Sequence, residues 1–355
     1  MTQARCLWTW GNADHGKCGL GTYPDAPIFA HQQFEPAKVK EPELPGKLIQ
    51  QVVCGGAHTL LVTASGRLLA CGLGEQGQLG LNSLESHGVF QEVTGIESVS
   101  GAAAGHWHSL AVSKKGNVYS WGSNKQHQLG IPAGALEQGP TSKGTARPAM
   151  VAALRDAGVK QVACGSLHSM ALTRDGEIYT WGFGKNGRLG HGDEEDQVLP
   201  KRLDSLRGEK IKAICAGYDV SSAISMAGKV WVWGYGFAWQ LGQDDNKDRL
   251  SPTPLGMLPR VPCLLCLSAS ECLGVCAGID DGVIPTRTRQ LARFDVFDPR
   301  PRVWSAARGC CWPHRRSPHL GQFRVRGPGP GTTVLVVCLA TGFMLAPAGS
   351  CLAPA

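Results

Sequence analysis

Short apolar runs separated by glycine-bearing turns recur along the first 255 residues. In one unit, residues 169–173 and 177–181 are rich in β-branched and aromatic side chains, and Arg174-Asp175-Gly176 joins them. An Asp-Gly step between such runs is typical of a β-hairpin, because glycine adopts the positive φ that the turn needs. Residues 159–163 have the pattern of a further strand upstream. The pattern therefore predicts a small antiparallel sheet in each unit and no long helix.

A fixed internal spacing ties these units together. The Trp-Gly step falls at Trp10, Trp121, Trp181 and Trp233, and Cys71 takes its place in the second unit. A glycine follows each of these residues nine positions later. Successive units are 50 to 61 residues apart, which places the length differences in loops between constant strands. A repeat of about 40–50 residues with four short strands is typical of a β-propeller.

Three histidines recur at one point of the unit, thirteen residues before the Trp-Gly position: His58, His108 and His168. Val220 interrupts the series in the last unit. Because they recur with the strands, we predict that they are hydrogen-bonded parts of the fold beside a tight glycine corner, and neither a catalytic triad nor a metal site. The same reasoning places the repeated tryptophans in the core of the sheets.

The complete frame, Gly-x-x-His-[Ser/Thr], then Trp-Gly, then Gly-x-Leu-Gly, resembles the regulator-of-chromosome-condensation repeat. The segment 189–196, followed by Pro200, strengthens this resemblance, which covers roughly residues 6–255. The family implies a seven-bladed β-propeller closed by strands from both chain ends. Here we find four complete units and one partial one. We therefore predict an all-β, incomplete propeller whose last blade needs a further partner.

Two inserts interrupt the repeats, at residues 22–48 and 131–158. The second is rich in Gly, Ala and Pro, with a short helical pattern at 149–157. Two interpretations stay open: a surface loop, or a protrusion that contacts a partner, since long loops on a rigid scaffold often carry binding.

The composition changes near residue 255, which divides the chain into a repeat region, 1–255, and a tail, 256–355. Residues 251–355 hold 11 basic residues, all arginine, against 5 acidic ones, together with 13 of the 22 prolines and 8 of the 14 cysteines. No repeat frame continues there. The basic balance of the chain therefore belongs to the tail, and the repeat region carries no strong nucleic-acid signal.

Three interpretations of the tail stay open. Cys263-x-x-Cys266 and Cys272-x-x-x-Cys276 have the form of zinc ligand pairs, but the gap between the pairs is shorter than usual. The apolar segment 332–346 has the form of a membrane anchor but is shorter than a spanning helix needs. We favour the third interpretation, an aberrant or non-native extension with mostly irregular structure. We therefore expect no metal, no cofactor and no membrane contact through 332–346.

The chain shows no catalytic motif, so we expect a protein that is not an enzyme. The primary hypothesis is an interaction scaffold that presents loops on a propeller face. The alternative is a guanine-nucleotide exchange factor for a small Ran-like or other Ras-superfamily GTPase, an activity that the family resemblance implies and that needs no covalent chemistry. The repeats also resemble the plant ultraviolet-B receptor, which stacks Trp against Arg at its corners. No corner here reads Trp-Arg, so we do not expect photoreception.

The partner-binding candidates are the residues between the corner glycine and the histidine position. In the family, these face one rim of the propeller. We predict that His106, Trp107, Tyr218 and Asp219 lie on one face, are more exposed than His108 or Trp121, and contact a protein partner, with a small GTPase among the candidates. No signal-peptide pattern is present, so we expect the cytoplasm, with the nucleus as the alternative.

Overall fold

The computed structural model describes residues 6–21, 32–39, 49–135, 144–255 and 334–339. Contacts between Cα atoms divide the chain into one unit of residues 1–276 with 332–355 and a second unit of residues 277–331. All of the described residues belong to the first unit. Within them, no helix has the length and apolar character needed to cross a membrane.

Four antiparallel sheets of four strands each follow one another along the chain, and we number them sheets 2 to 5. Sheet 2 consists of β3 (Ile49–Cys54), β4 (His58–Thr63), β5 (Leu68–Gly72) and β6 (His87–Val93). Sheet 3 consists of β7 (Val99–Ala104), β8 (His108–Ser113), β9 (Val118–Ser123) and β10 (Gly144–Met150). Sheet 4 consists of β11 (Val159–Cys164), β12 (His168–Thr173), β13 (Ile178–Gly182) and β14 (Gln197–Arg202). Sheet 5 consists of β15 (Ile211–Ala216), β16 (Val220–Ser225), β17 (Val230–Gly234) and β18 (Arg249–Pro254).

Sheet 1 differs from the other four sheets. It pairs β1 (Cys6–Asn12) with β2 (Gln32–Lys38) in antiparallel fashion, and β19 (Val334–Leu339) lies parallel to β1 on its other edge. The strand β19 is an exception to the irregular structure predicted for the tail. Residues 256–333 and 340–355, including the four cysteines considered as zinc ligands, lie outside the described residues.

The repeated sequence frame accounts for the strands. The Asp-Gly turn predicted at Gly176 joins β12 and β13, with φ of +88° at the glycine, and the two strands pair from His168 opposite Gly182 to Leu172 opposite Ile178. Single-turn 3₁₀ helices fill some of the connections. They are Asp14–Gly16, Ala133–Ala135, Ala152–Leu154, Lys185–Gly187 and Asp204–Leu206.

The inserts hold more regular structure than their composition predicts. The prediction of loops is wrong for Gln32–Lys38 and for Gly144–Met150, because these segments form the last strand of sheets 1 and 3. The helical pattern at 149–157 gives only one 3₁₀ turn, Ala152–Leu154. Pairing with a neighbouring strand decides the structure of these segments, and their own sequences carry little of the alternation that would reveal it.

Consecutive sheets pack face to face, and we call each packed interface a seam. Four apolar clusters fill the seams between sheets 1 and 2, 2 and 3, 3 and 4, and 4 and 5. The repeated Trp121, Trp181 and Trp233 are fully buried in three of these clusters, as the repeat pattern predicts. Each seam holds more than ten buried apolar residues, so burial between neighbouring sheets is the main source of stability.

One carbonyl group per seam receives two side-chain hydrogen bonds from the following sheet. The carbonyl of Gln128 accepts from Trp181 Nε1 at 3.0 Å and from Ser169 Oγ at 2.7 Å. The carbonyls of Gln78 and Arg188 accept equivalent bonds, from Trp121 and Ser109 and from Trp233 and Ser221. We call these residues the acceptor residues. Each one stands two positions before the last glycine of Gly-x-Leu-Gly.

The corner histidines complete this arrangement. His58, His108 and His168 are fully buried, and their Nε2 atoms lie 2.8 to 2.9 Å from a serine Oγ of the next sheet. Each serine hydroxyl hydrogen already goes to an acceptor carbonyl, so the histidine Nε2–H must donate to Oγ. These histidines are therefore neutral links between sheets, which confirms the structural role predicted for them.

Candidate functional site

A tight corner precedes the second strand of each complete sheet. In sheet 4, the Gly165 N–H donates to the His168 carbonyl at 2.9 Å. A Cβ atom at Gly165 would lie only 2.0 Å from His168 Cε1, so the corner requires glycine. The two residues between the glycine and the histidine lie at the end of the sheet, directly before its second strand. The four corner pairs are Gly56-Ala57, His106-Trp107, Ser166-Leu167 and Tyr218-Asp219.

Backbone hydrogen bonds join the corners of successive sheets. The Gly56 N–H donates to the Gly105 carbonyl at 3.0 Å, and the His106 N–H donates to the Ser166 carbonyl at 3.3 Å. The Ser166 N–H in turn donates to the Tyr218 carbonyl at 2.9 Å. The corners of sheets 2 to 5 therefore lie side by side at one end of the sheets.

Three aromatic side chains meet at these corners. The ring of His106 lies 4.6 Å from that of Trp107, centroid to centroid, and 5.9 Å from that of Tyr218, edge to face. His106 belongs to the corner of sheet 3 and Tyr218 to that of sheet 5, so the contact passes over sheet 4. Tyr218 is 44% exposed, whereas His108 and Trp121 are fully buried. The structure thus brings His106, Trp107 and Tyr218 together at this end of the sheets, and partner binding by the four candidates stays a prediction.

A buried ion pair fixes the fourth candidate, Asp219. The side chain of Arg188 is only 3% exposed, and its Nη1 lies 2.5 Å from Asp219 Oδ1. Ser166 Oγ also donates to Asp219 Oδ1, at 3.0 Å, and the Arg188 guanidinium lies 4.9 Å from the ring centre of Phe183. Burial lowers the pKa of Arg188 and Asp219 opposes that shift, so the guanidinium keeps its charge near neutral pH.

We define the rim as His106, Trp107, Tyr218 and Asp219. Burial lowers the pKa of His106, so its ring is uncharged at neutral pH. Among the described residues, His106 Nδ1 is buried and has no hydrogen-bond partner. The rim thus combines three aromatic side chains with a carboxylate that is ion-paired to Arg188. These side chains therefore offer aromatic packing surface and little net charge.

The sequence analysis missed an aromatic loop beside the rim. The backbone N–H of Tyr235 donates to the Asp219 carbonyl at 3.0 Å, and the Tyr235 ring stacks on Phe237 at 6.2 Å. Phe237 and Trp239 are 65% and 60% exposed. An alignment of the units would have revealed them, because sheet 4 has Lys185 and Gly187 at the same positions.

The described residues show no group of three or more His, Cys, Asp or Glu side chains arranged to hold a metal ion. The thiols of Cys18 and Cys164 are poor nucleophiles, because burial raises the pKa of Cys18 to about 11 and that of Cys164 well above its ordinary value.

Comparison with known proteins supports this architecture. The model of the RCC1-like domain family matches residues 1–280. The ultraviolet-B receptor UVR8 of Arabidopsis thaliana is 33% identical over 251 residues, which cover 69% of this chain and 52% of the receptor. The probable E3 ubiquitin-protein ligase HERC4 of Rattus norvegicus is 39% identical over 297 residues, covering 68% of this chain and 27% of the ligase. The chain thus spans about half the length of the receptor and a smaller part of the ligase.

A solved structure of Prp20p from Saccharomyces cerevisiae has the same arrangement of sheets. It superposes with a TM-score of 0.56 at 26% sequence identity, covering 69% of this chain and 58% of Prp20p. Its description reports binding to Gsp1p and histones. The repeated frame, the four-stranded sheets and the family match agree, and the chain belongs to the RCC1-like domain family of β-propeller proteins.

Proposed function

We propose that this protein is a non-catalytic interaction scaffold that binds a protein partner through the rim. The observation that supports it is the contact of His106 with both Trp107 and Tyr218, which gathers aromatic surface from two sheets. Aromatic side chains held rigidly at the centre of a surface are typical of the residues that dominate binding energy. The Arg188–Asp219 ion pair beneath them limits the motion of the corner and so lowers the entropy cost of binding.

A capture experiment with matched variants tests this proposal. The double variant Trp107→Ala/Tyr218→Ala removes the aromatic surface, and Met226→Ala removes a side chain that is 66% exposed at the other end of β16. The rim is supported as the binding surface if proteins from an extract of the source cells bind the wild type and Met226→Ala but not the double variant. Equal capture by all three forms would contradict it.

Guanine-nucleotide exchange is a second candidate function, because the similar Prp20p is described as binding Gsp1p. Exchange needs no covalent chemistry. It needs a loop surface that alters the conformation of a GTPase, and the rim and the aromatic loop 235–239 could supply such a surface. The discriminating measurement is release of labelled GDP from a Ran-type GTPase and from other Ras-superfamily members. If the protein stimulates GDP release and the variant Trp107→Ala/Tyr218→Ala does not, exchange activity becomes the preferred function over a simple scaffold.

We do not propose photoreception or ubiquitin ligation. The corner pairs contain one tryptophan, Trp107, and none has an arginine beside a tryptophan. The match to HERC4 covers 27% of that ligase, so its activity does not transfer to this chain.

We propose further that residues 1–255 carry the binding function, that the tail is dispensable for it, and that the protein acts in the cytoplasm or the nucleus. The full chain and a form ending at residue 255 should bind an identified partner equally. Imaging of the tagged full chain would test the compartment, and accumulation in a secretory organelle would contradict it.

A further inference from the structure

The three seams that join sheets 2 to 5 show which features a sheet needs on each side. Towards the following sheet it offers an acceptor carbonyl and an apolar face, as Arg188, Leu172 and Ile178 do in sheet 4. Towards the preceding sheet it offers a tryptophan whose Nε1 donates to that carbonyl, as Trp233 does in sheet 5. We call the acceptor carbonyl with its apolar face the acceptor half of a seam, and the face that carries the tryptophan the donor half.

Sheet 5 carries an acceptor half, and no further sheet packs on it within the part of the chain that the structure describes. Gln240 stands at the acceptor position. Within the described residues, the apolar cluster on this side contains residues of sheet 5 alone, with Val220, Val232 and Leu241 buried. Val230 and Leu255 are only half-buried there, whereas their equivalents in sheet 4, Ile178 and Leu203, are 2% and 3% exposed. The backbone geometry is the same in both sheets, because the Leu203 N–H donates to the Ile178 carbonyl and the Leu255 N–H donates to the Val230 carbonyl.

Sheet 1 carries a donor half. Leu7 lies in the cluster shared with sheet 2, and Thr9 Oγ1 donates to the Cys18 carbonyl at 2.8 Å, as Thr180 does to the Leu189 carbonyl in sheet 4. Because successive side chains of a strand alternate between its faces, Trp10 points to the other side. It is half-buried, whereas Trp121, Trp181 and Trp233 are fully buried.

The corner histidines are consistent with packing of the acceptor half of sheet 5 against the donor half of sheet 1. In sheets 2 to 4 the corner histidine donates to a serine on the second strand of the next sheet. In sheet 1 the place of an antiparallel second strand beside β1 is taken by the parallel β19. Sheet 5 has Val220 where the histidine would stand, so its acceptor half requires no such serine.

We propose that the two halves form a fifth seam between two copies of this chain, in which Trp10 of one copy donates to the Gln240 carbonyl of the next. A second copy is the occupant that matches on both sides, because it presents the tryptophan, the strand and the apolar face in the spacing used at the three internal seams that contain a tryptophan. The contact joins different surfaces of the two copies, so it can add further copies in the same direction.

Two blocked variants of the full-length chain test this directly. Trp10→Glu places a charge in the donor half, and Val230→Glu places one in the acceptor half. The mass of the wild type, measured by sedimentation velocity, should rise with concentration, and each variant alone should stay monomeric. An equimolar mixture should form a one-to-one pair and nothing larger, because only one productive contact remains.

Controls separate this result from unfolding. Leu199→Glu changes a residue that is 45% exposed on β14, outside both halves, and should associate as the wild type does. Trp10→Phe keeps an aromatic ring but loses the indole donor, and should weaken association roughly two- to tenfold, as expected for one hydrogen bond. Circular dichroism would verify folding of each form. A wild type that is monomeric at all concentrations, blocked variants that still associate, or a mixture that does not pair would each overturn the proposal.

Discussion

Burial sets the charge of the corner histidines. Their Nε2–H groups donate to serine, and each Nδ1 is buried without a partner among the described residues. Burial lowers the pKa of His58 and of His108 to about 3 and that of His168 well below its ordinary value. The folded protein therefore keeps them neutral, whereas the unfolded chain protonates them near pH 6.5.

This difference predicts a loss of stability in weak acid. Between pH 6.5 and about 3 the unfolded chain binds more protons at these sites, so the free energy of unfolding falls as pH falls. Each histidine contributes a slope of up to about 1.4 kcal/mol per pH unit. Urea unfolding of the wild type and of His168→Gln from pH 7.5 to 5 should show a shallower slope for the variant. Identical slopes would contradict the neutral state of His168.

Cys71 shows how one seam is filled without its tryptophan. Its Sγ lies 3.6 Å from the Lys17 carbonyl, the acceptor that a tryptophan would contact. A Cβ atom at Gly19 would lie 2.4 Å from Phe90 Cε2, whereas one at Gly80 would lie 2.8 Å from Trp121 Nε1. Phe90 therefore occupies the space that tryptophan fills in the other seams.

Replacement of both residues should reveal their coupling. We expect Cys71→Trp alone to overpack the seam and cost about 1–3 kcal/mol, and Phe90→Ala alone to leave a cavity and cost about 3–5 kcal/mol. The double variant should lose less stability than the sum of the two, because the indole occupies the vacated space. Equilibrium unfolding in urea gives the three values, and simple additivity would refute the exchange.

At the scale of elements, the loops after the third strands control how closely the sheets approach. Gly187 has φ of +71°, and a Cβ atom there would lie 2.4 Å from Leu250 Cα on β18. Gly77 makes the equivalent approach to Ala146 on β10. These glycines are needed for the backbone conformation and for the contact between the loop of one sheet and the last strand of the next.

Two alanine variants separate these requirements. Gly208 has φ of +94° and no atom within 4 Å of a built Cβ, so Gly208→Ala should cost only the backbone strain of about 1–2 kcal/mol. Gly187→Ala adds a clash with backbone atoms, and we expect a further loss of about 1–3 kcal/mol. Thermal or urea unfolding would compare them. Equal losses would show that the loop of Gly187 moves away freely.

At the scale of the whole molecule, stability should follow the number of seams that each sheet makes. Sheets 3 and 4 are packed on both faces, whereas the apolar cluster on the outer face of sheet 5 holds, among the residues that the structure describes, only residues of that sheet. In a repeat array, stability is close to a sum of contributions from units and from the contacts between neighbours. The last sheet should therefore open before the central ones.

Hydrogen exchange followed by mass spectrometry can test this order. Amides of β16 and β17 should exchange at least about tenfold faster than those of β12 and β13, which corresponds to about 1.4 kcal/mol of local opening free energy. The measurement should use Trp10→Glu, so that association of copies does not protect sheet 5. Equal exchange in both sheets would indicate that the array opens as one unit.

The repeat units, their strands and the structural role of the histidines could be predicted from sequence, because each is encoded by spacing within one unit. Asp175-Gly176 specifies its turn, and Gly165 specifies the corner beside His168, wherever the unit lies in the chain. The position of the corner pairs at one end of the sheets follows from the same spacing. The strand Gly144–Met150 could not be predicted from sequence, because its pairing with β9 provides the information that its own sequence lacks.

The tertiary structure alone decided which corner residues meet. The stacking of sheets brings His106 to Tyr218 across sheet 4 and brings Arg188 to Asp219, 31 residues apart in the chain. It also placed Phe90 in the seam beside Cys71 and exposed Phe237 and Trp239 beside the rim. These contacts depend on the rotation between neighbouring sheets and on the side chains of two different units, and neither quantity is contained in the spacing of a single repeat.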